Sequence, residues 1–492
     1  MNARKICLAV DIGASGGRVV AGIYDGTRLA LNELSRFPNE PVKTAGGWQW
    51  NFDALLRHIK QGIALAMKEY GGAVVSVGVD TWGVDYGLLD DHGKLLGAPF
   101  QYRDGRTQGM QEEAFRRMPR EEIYRRTGIQ FLFFNTLFQV LAELKSPERL
   151  NEAGQLLFMP DLIHYFLTGT RVNEKSIAST SQLLDPDTQT WERKIIKAMG
   201  FPEKIFGKLV DAGTVLGELQ PGVAAETGAK KLQAIAPAGH DTASAVVGVP
   251  AEEPEPVFIS SGTWSCFGRE LNRPVISEES FQATFSNEGG VFGTTRFLKN
   301  IAGMWLWQEC KRVWDAGGKG ASYAELVVQA EKSPPFTALI DPDAADFQAP
   351  GNMSDALGRF CRRTGQPSPA DPGAFTRLIL ESLALKYRLV KESLARVTGR
   401  PVDRIYIVGG GSQNHLLNQF TADALNCTVV AGPVEAASTG NIIMQLFALG
   451  EIRSLNEGRA LIRRSFETKI FEPRNTAAWD DAYTHFQKIL ST

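Results

Sequence analysis

The chain has 492 residues, of which 43% are hydrophobic and 22% are charged, and its 53 basic and 55 acidic residues give a formal net charge of -2. This composition is typical of soluble globular proteins and argues against disorder, and the length indicates two or three domains. Because the charge is balanced and no long run of like charges occurs, we expect neither nucleic acid nor an anionic membrane as a partner.

Targeting signals and a disulfide framework are not expected. The apolar run at residues 6–10, ICLAV, is too short for the core of a signal peptide, and no later run reaches the roughly 18 apolar residues that span a bilayer. The cysteines are odd in number and widely scattered, without the spacing of a metal site. They are Cys7, Cys266, Cys310, Cys361 and Cys427. Reduced thiols of this kind favour a cytoplasmic location.

The first half of the chain begins with a predicted β-hairpin. Residues 5–11 and 18–25 are rich in apolar and β-branched types, and the segment GASGG between them provides the conformational freedom of a tight turn. Further strands are predicted at 73–80 and 84–90, the second of which ends in the turn sequence DDHG.

Later in the chain, predicted strands alternate with helices. Residues 374–398 have apolar side chains at helical spacing, and Gly399 and Pro401 provide a stop signal. A strand RIYIVGGG, a helix near 414–425, a strand CTVVAG and a helix near 436–449 follow. This alternation predicts an α/β architecture.

A coarse internal similarity indicates two halves. A glycine-rich turn with a hydroxyl side chain follows a strand at 11–18, and a second one occurs in VFISSGTWSCFGRE at 257–270. Between them, the proline-rich and acidic segment VPAEEPEPV at 249–257 has the composition of a linker. We therefore expect an N-terminal domain at 1–248 and a C-terminal domain at 255–492.

The segment GASGG admits three interpretations. It has the G-x-S-x-G spacing of a hydrolase nucleophile elbow with Ser15 as the nucleophile, but that elbow requires a helix after the turn, and a strand is predicted instead. Alternatively, its backbone N–H groups bind an anion, assisted by the Ser15 hydroxyl and the charge of Arg18. An ordinary hairpin turn remains equally compatible with this segment alone. Other nucleotide signatures, such as G-x-x-x-x-G-K-[ST], are absent.

Five further segments carry polar groups suited to a small polyhydroxylated ligand. They are DTWGVDYG (80–87), QYRDGRT (101–107), AGHDTASAVVG (238–248), SNEGG (286–290) and LKNIAGMWLWQEC (298–310). Structural interpretations are also open: Trp82 as a core residue, Arg103 with Asp104 as a surface pair, and Asn300 and Asp241 as helix N-caps. Similarly, IVGGGSQN at 407–414 is either a flat surface for a nucleotide or a plain strand-to-helix turn.

In combination, these segments resemble the FGGY carbohydrate kinases, and among them the kinases of L-rhamnulose. The resemblance runs from about residue 6 to 450. The segments that carry it, in order, are DIGASGGR, DTWGVDYGLLDDHG, YRDGRT, AGHDTASAV, SSGTWS, NEGG, LKNIAGMWLWQ and IVGGGSQN.

The resemblance implies a two-domain α/β fold similar to actin and hexokinase, the ribonuclease H-like fold, with the active site in a cleft between the domains. It implies transfer of the γ-phosphate of ATP, with Mg²⁺, to the 1-hydroxyl of L-rhamnulose. L-Fuculose or D-xylulose as the acceptor is the alternative within this class. A serine hydrolase using Ser15 and a noncatalytic nucleotide-binding protein of actin-like fold are the alternatives from other classes.

Site residues follow from the same resemblance. Those expected at the ATP phosphates are Ala14, Ser15, Gly16, Gly17, Arg18 and Thr263, with Gln308 and Gly410 at the nucleotide. Those expected at the sugar are Gly83, His240, Asp241, Thr242 and Asn300. Asp11 is the expected carboxylate near Mg²⁺, acting through water. The first loop has Ala14 and two glycines where many members are rich in threonine, so phosphate contacts there would rely on the backbone.

His240 and Asp241 are sequence neighbours and therefore poorly placed to form a hydrogen-bonded catalytic dyad with each other. We expect Asp241 to accept a proton from the attacking sugar hydroxyl as the general base, and His240 to hydrogen-bond another hydroxyl.

Overall fold

The computed structural model describes residues 4–318, 320–347 and 351–490. The chain divides into two compact units, each assembled from three segments. The first unit comprises Met1–Glu252, Glu270–Phe297 and Ala436–Phe466. The second comprises Glu253–Arg269, Leu298–Glu435 and Glu467–Thr492.

The strands of the described residues are β1 (Lys5–Ile12), β2 (Gly16–Tyr24), β3 (Leu29–Pro38), β4 (Pro41–Thr44), β5 (Gly47–Trp50), β6 (Val74–Thr81), β7 (Tyr86–Asp90), β8 (Ala153–Phe158), β9 (Asn173–Glu174), β10 (Leu184–Asp185), β11 (Thr190–Trp191), β12 (Leu209–Val210), β13 (Thr214–Glu218), β14 (Gln233–Ala236), β15 (Val257–Ser261), β16 (Trp264–Leu271), β17 (Ser286–Gly289), β18 (Thr295–Ala302), β19 (Arg404–Val408), β20 (Thr428–Ala431) and β21 (Lys469–Phe471).

The α-helices of the same residues are α1 (Phe52–Tyr70), α2 (Met110–Arg117), α3 (Arg120–Thr127), α4 (Thr136–Glu143), α5 (Glu148–Glu152), α6 (Met159–Thr168), α7 (Lys175–Ala178), α8 (Arg193–Met199), α9 (Pro221–Thr227), α10 (Asp241–Val247), α11 (Glu278–Gln282), α12 (Trp305–Ala316), α13 (Tyr323–Lys332), α14 (Met353–Arg363), α15 (Pro372–Thr398), α16 (His415–Leu425), α17 (Ala436–Ala448), α18 (Leu455–Ser465) and α19 (Thr476–Ile489).

The first unit is built on a six-stranded sheet with the order β13-β14-β6-β1-β2-β3. Strand β1 pairs antiparallel with β2 and parallel with β6, and it is buried from its second residue to its last. Its side chains alternate between two faces, as the pleat requires. Leu8 and Val10 join a core cluster with α1, whereas Cys7 and Ala9 join another with α10 and α17. Both faces of the sheet are therefore covered.

Helices α10 and α17 approach each other closely in the first unit because glycine occupies the contact. A Cβ atom added at Gly440 would overlap the carbonyl oxygen of Ser244, and one added at Gly248 would overlap the carbonyl oxygen of Ala436. No side chain fits at either position without moving a backbone. This packing fixes α10 against the sheet and with it Asp241, the first residue of α10.

The second unit contains a sheet in which neighbouring strands follow the order β18-β16-β15-β19-β20-β21. Strand β15 pairs antiparallel with β16 and parallel with β19. The long helix α15 is buried along one side and ends at Thr398, where Gly399 adopts the left-handed conformation with φ +66°. Glycine relieves the steric cost of that conformation at a helix C-terminus.

The elements predicted from the sequence are confirmed. The hairpin of β1 and β2, strands β6 and β7, and the stop of α15 at Gly399 all form as expected. The alternation of β19, α16, β20 and α17 late in the chain is also present. The five cysteines are buried free thiols. Among the described helices, none is both long and apolar enough to cross a bilayer.

The packing of α10 on α17 predicts that Gly440→Ala destabilises the protein. Alanine has the higher helix propensity by about 1 kcal/mol, but overpacking costs about 1–3 kcal/mol. Scanning calorimetry should therefore show a lower melting temperature. Gly222→Ala is the control, because Gly222 lies in α9 with open space around it and should be neutral or slightly stabilising. An unchanged melting temperature for Gly440→Ala would contradict the close packing.

Candidate active site

The glycine-rich turn joins β1 to β2 in the first unit. The Gly13 N–H donates to the Gly16 carbonyl at 2.9 Å, and the Asn39 side chain donates to the Gly13 carbonyl at 3.0 Å. Ser15 is exposed at the tip, and β2 follows as a strand. The strand-turn-helix geometry of a nucleophile elbow is therefore not formed, and the hydrolase interpretation of Ser15 is not supported.

Asp11 and Arg18 face each other across the hairpin in paired register. The Arg18 guanidinium donates to Asp11 Oδ2 through Nη2 at 2.8 Å and Nε at 3.2 Å, and the Ser438 hydroxyl donates to the same oxygen at 2.8 Å. The charge of Arg18, which we expected to be directed at phosphate, is thus shared with Asp11. For the expected binding of phosphate, the turn therefore offers mainly its backbone N–H groups.

Asp80 lies beside Asp11 because β6 runs parallel to β1 with these two residues in register. Its carboxyl is fully buried; Oδ2 accepts a hydrogen bond from the Asn441 side chain at 2.5 Å, while Oδ1 has no hydrogen-bond partner among the described residues. Burial, the charge of Asp11 and the charge of Asp241 hold the pKa of Asp80 well above its ordinary value. Three acidic groups therefore share one end of the sheet.

Asp241 begins α10, and the preceding backbone is held at the end of β6. The Gly239 carbonyl accepts from the Thr81 N–H at 2.9 Å, and the Gly239 N–H donates to Glu174 Oε2 at 2.9 Å. The cap position of α10 belongs to His240, whose side chain makes no capping hydrogen bond. The helix-cap interpretation of Asp241 is therefore wrong.

The Asp241 carboxyl retains access to solvent, with 29% of the side chain exposed. Its Oδ1 accepts from the Thr242 hydroxyl at 3.1 Å. Desolvation by the surrounding protein and the charge of Asp11 raise the pKa of Asp241, and the nearby His240 partly opposes this. Such a carboxylate is accessible to a ligand and is a better proton acceptor than an ordinary aspartate.

Gly83 lies against His240. A Cβ atom added at Gly83 would lie 3.3 Å from His240 Nε2 and 3.3 Å from the Thr180 side chain, a distance at which the neighbours would have to move. The next residue, Val84, has φ +69°, and its N–H donates to the Thr180 hydroxyl at 3.1 Å. The backbone at this turn is therefore held in place, with space for a hydrogen but little for a side chain.

The loop that carries Gly83 is anchored by the buried carboxylate of Asp85. Its Oδ2 accepts from the indole N–H of Trp50 at 2.6 Å and of Trp82 at 2.9 Å. Burial raises the pKa of Asp85 to about 6, although these hydrogen bonds lower it. Trp82 is buried in the core of the first unit. The core interpretation of Trp82 is confirmed.

In the second unit, Thr263 and Gln308 are in direct contact. The Thr263 hydroxyl donates to Gln308 Oε1 at 3.2 Å, and the Thr263 carbonyl accepts from the N–H groups of Gly303 and Trp305, each at 3.2 Å. Gly410 follows β19, the strand beside β15, and a Cβ atom added there would meet no atom within 4 Å. Backbone at Gly410 is consequently open to a flat ligand.

Asn300 lies within β18 of the second unit. Its Oδ1 accepts from the Cys266 thiol at 3.0 Å, and the following helix begins only at Trp305. The helix-cap interpretation of Asn300 is therefore wrong. Its expected contact with the sugar stays a prediction.

The structure thus brings together Asp11, the turn 14–18, Gly83 and 240–242 in the first unit, and it joins Thr263 to Gln308 in the second. Sequence reasoning assigned no role to several side chains that hold these groups in place. They are Asp80, Glu174 and Ser438. Asp80 lies in the segment DTWGVDYG, which the sequence analysis already identified as suited to a polar ligand. Ser438 lies on the distant helix α17, and no motif in the sequence indicates its contact with Asp11.

Two family models together match most of this chain. The N-terminal domain of the FGGY family of carbohydrate kinases matches residues 6–248, and the C-terminal domain matches residues 257–449. The chain belongs to the FGGY family of carbohydrate kinases.

Similar proteins agree with this membership. A "Rhamnulokinase" of Bacteroides thetaiotaomicron is 45% identical over 483 residues, which cover 98% of this chain and 99% of that protein. A "Rhamnulokinase" of Enterococcus faecalis is 42% identical, with 95% of this chain and 94% of that protein covered.

Solved structures share the fold at low identity. A gluconate kinase from Lactobacillus acidophilus superposes with a TM-score of 0.82 at 15% identity, covering 99% of this chain and 98% of that one. A Plasmodium falciparum glycerol kinase with ADP has a TM-score of 0.79 at 16% identity, with 99% and 98% covered. The predicted fold class, a two-domain α/β kinase fold, is confirmed.

The contact of Gly83 with His240 predicts that Gly83→Ala weakens carbohydrate binding selectively. A methyl group there would lie 3.3 Å from His240 Nε2 and from the Thr180 side chain, so these neighbours must shift by a few tenths of an ångström. Because His240 is expected to hydrogen-bond the sugar, a loss of about 1–3 kcal/mol of that contact should raise the KM for the carbohydrate about 5- to 100-fold. The KM for ATP should change little. Gly72→Ala is the matched control, because no atom lies within 4 Å of the added methyl group. Equal losses toward both substrates would contradict a local effect at His240.

Proposed function

We propose that this protein phosphorylates L-rhamnulose at the 1-hydroxyl with ATP, forming L-rhamnulose 1-phosphate and ADP in L-rhamnose catabolism. The observation that carries the phosphoryl-transfer chemistry is the accessible Asp241 carboxyl at the start of α10, beside His240. The substrate is supported by relatives named rhamnulokinase that are 41–45% identical over nearly the whole chain. Another ketose, such as L-fuculose or D-xylulose, is the second candidate.

In this proposal Asp241 is the general base. Its carboxylate accepts the proton of the sugar 1-hydroxyl as that oxygen attacks the γ-phosphorus. His240 and Thr242 hydrogen-bond other hydroxyl groups, and Gly83 leaves room for the sugar beside the imidazole. Asn300 supplies a further polar contact.

The nucleotide is assigned to the glycine-rich segments. The turn from Ala14 to Arg18 and the hydroxyl of Thr263 contact the phosphates, whereas Gln308 and Gly410 contact the nucleoside. Because Asp11 already neutralises Arg18, the first turn binds phosphate largely through backbone N–H groups. We further propose that 1–248 carries the sugar site and the base, and that 255–492 carries the nucleotide site.

Mg²⁺ is proposed as the cofactor. The fit rests on the acidic end of the sheet, where Asp11 lies in register with Asp80, Asp241 begins α10, and Asp80 Oδ1 has no partner among the described residues. Oxygen ligands of this kind suit a hard cation that keeps most of its water, so Asp11 would contact it through water. Bound there, Mg²⁺ would neutralise charge on the phosphate oxygens. Among the described residues, no three acidic, histidine or cysteine side chains are grouped to hold a metal directly.

A cytoplasmic location also remains a proposal, supported by the five free thiols.

ADP release measured with a panel of ketoses tests the substrate. We expect kcat/KM for L-rhamnulose to exceed that for D-xylulose by about 10-fold or more, because a methyl group in an apolar pocket contributes about 1–3 kcal/mol. Phosphorus and carbon NMR of the product should place the phosphate on C1. An equal or higher kcat/KM for L-fuculose or D-xylulose would overturn the substrate while leaving the kinase chemistry intact. No ADP release with any ketose would overturn the function.

Asp241→Asn removes the base but keeps the size of the side chain and an oxygen that accepts from Thr242. We expect kcat to fall by about 10²-fold or more while ATP binding, measured by calorimetry, is retained. The melting temperature serves as the control for folding. Turnover near that of the unmodified protein would exclude Asp241 as the general base.

A further inference from the structure

Glu288 and Arg296 form a buried ion pair behind the His240 ring in the first unit. Glu288 Oε2 lies 3.0 Å from Arg296 Nη1 and 3.2 Å from His240 Nδ1. The Arg296 side chain is fully buried, and its Nε donates to the Gly289 carbonyl at 2.9 Å. One carboxylate oxygen therefore lies close to both a guanidinium and an imidazole, as an ion-pair contact whose angles are not those of a hydrogen bond among the described residues.

The contact with Arg296 fixes the chemical role of Glu288. A guanidinium has donors and no acceptor, so the oxygen that it approaches must accept. Burial alone would raise the pKa of Glu288, but Arg296 and His240 outweigh burial, and the net pKa is lowered. Glu288 is thus a carboxylate without a proton to donate.

The position of the proton on the His240 ring depends on this negatively charged neighbour. Its Nδ1 lies 3.2 Å from the Glu288 carboxylate oxygen, and the negative charge there favours a proton on Nδ1. In a neutral imidazole with that proton, the other nitrogen is an acceptor. That nitrogen, Nε2, lies beside the space above Gly83 and 3.4 Å from Asp241 Oδ1.

We propose that Glu288, paired with Arg296, is a positioning residue that keeps the proton of His240 on Nδ1 and leaves Nε2 to accept a hydrogen bond from a substrate hydroxyl. The proposal rests on the sugar site assigned above. It also predicts a determinant of substrate specificity. The substrate group that lies at Nε2 must donate a hydrogen bond, so a sugar with a ketone or ether oxygen at that position is disfavoured.

NMR of the full chain with ¹⁵N-labelled histidine tests the tautomer directly. Long-range ¹H–¹⁵N spectra at alkaline pH distinguish the two ring nitrogens, and His240→Gln assigns the signal among the six histidines. His164 is an internal standard, since its Nε2 accepts from the Val79 N–H at 3.1 Å and burial lowers its pKa to about 3. We expect His240 to show the His164 pattern. A proton on Nε2 alone, or protons on both nitrogens, would overturn the proposal.

Variants then test whether Glu288 is the cause. Glu288→Gln keeps an oxygen that Arg296 holds in place, so the Nδ1–H tautomer should persist. The double variant Glu288→Leu with Arg296→Met removes both charges together, which avoids an unpaired buried ion. In it the Nε2–H tautomer should become populated, and the KM for the sugar should rise about 10-fold or more, with the KM for ATP unchanged. Persistence of the Nδ1–H tautomer in the double variant would overturn the role of Glu288.

A second buried pair in the same unit provides the matched control. Arg459 Nη2 lies 2.6 Å from Glu270 Oε2, and both side chains are 5% exposed. Glu270→Leu with Arg459→Met should change stability in a similar way but leave the His240 tautomer and the sugar KM unaffected. The tautomer is measured in the absence of substrate. A protein that shows the Nδ1–H tautomer but does not phosphorylate L-rhamnulose would therefore contradict the proposed function and not this inference.

Discussion

The arrangement of the site depends on three aspartates that the backbone forces together. Parallel pairing of β1 with β6 sets Asp11 opposite Asp80, and the start of α10 adds Asp241 at the same end of the sheet. Like charges at short range are unfavourable. Together with burial, the charges of Asp11 and Asp241 therefore raise the pKa of Asp80 well above its ordinary value. The cluster is tolerated because Arg18 neutralises Asp11 and an amide donates to Asp80. The accessible carboxyl of Asp241 and the unpartnered Oδ1 of Asp80 are oxygen atoms of the kind that suits the proposed hydrated cation.

The groups that stabilise this cluster come from a segment far away in sequence. Ser438 donates to Asp11 and Asn441 donates to Asp80, and both lie on α17. The same helix contacts α10 at Gly440, where a side chain would overlap the Ser244 backbone. One helix therefore fixes both the hydrogen-bonding of the acidic groups and the position of the proposed base. Assembly of the site requires the late segment of the chain to be folded against the early one.

Local sequence patterns predicted the elements well but not the side-chain partners. The hairpin turn and the stop of α15 at Gly399 follow from residue types over a few positions, so they could be predicted. Motif resemblance supplied Asp241 and His240. The pairing of Arg18 with Asp11 depends on strand register, and the donation by Ser438 depends on tertiary packing. A helix-cap pattern likewise described Asn300 and Asp241 incorrectly, because capping is decided by the exact residue at which the helix begins.

His240 and Asp241 show how two adjacent residues acquire different tasks. The imidazole lies beside Glu288, whose charge Arg296 balances, and in the proposal above Glu288 keeps the proton of the ring on Nδ1. Desolvation and the negative charge of Asp11 raise the pKa of the Asp241 carboxyl, although His240 partly opposes this. In the proposed reaction Asp241 takes a proton from one hydroxyl, whereas His240 only accepts a hydrogen bond from another. The difference arises from the second layer of side chains, so exchanging the two residues would not exchange their functions.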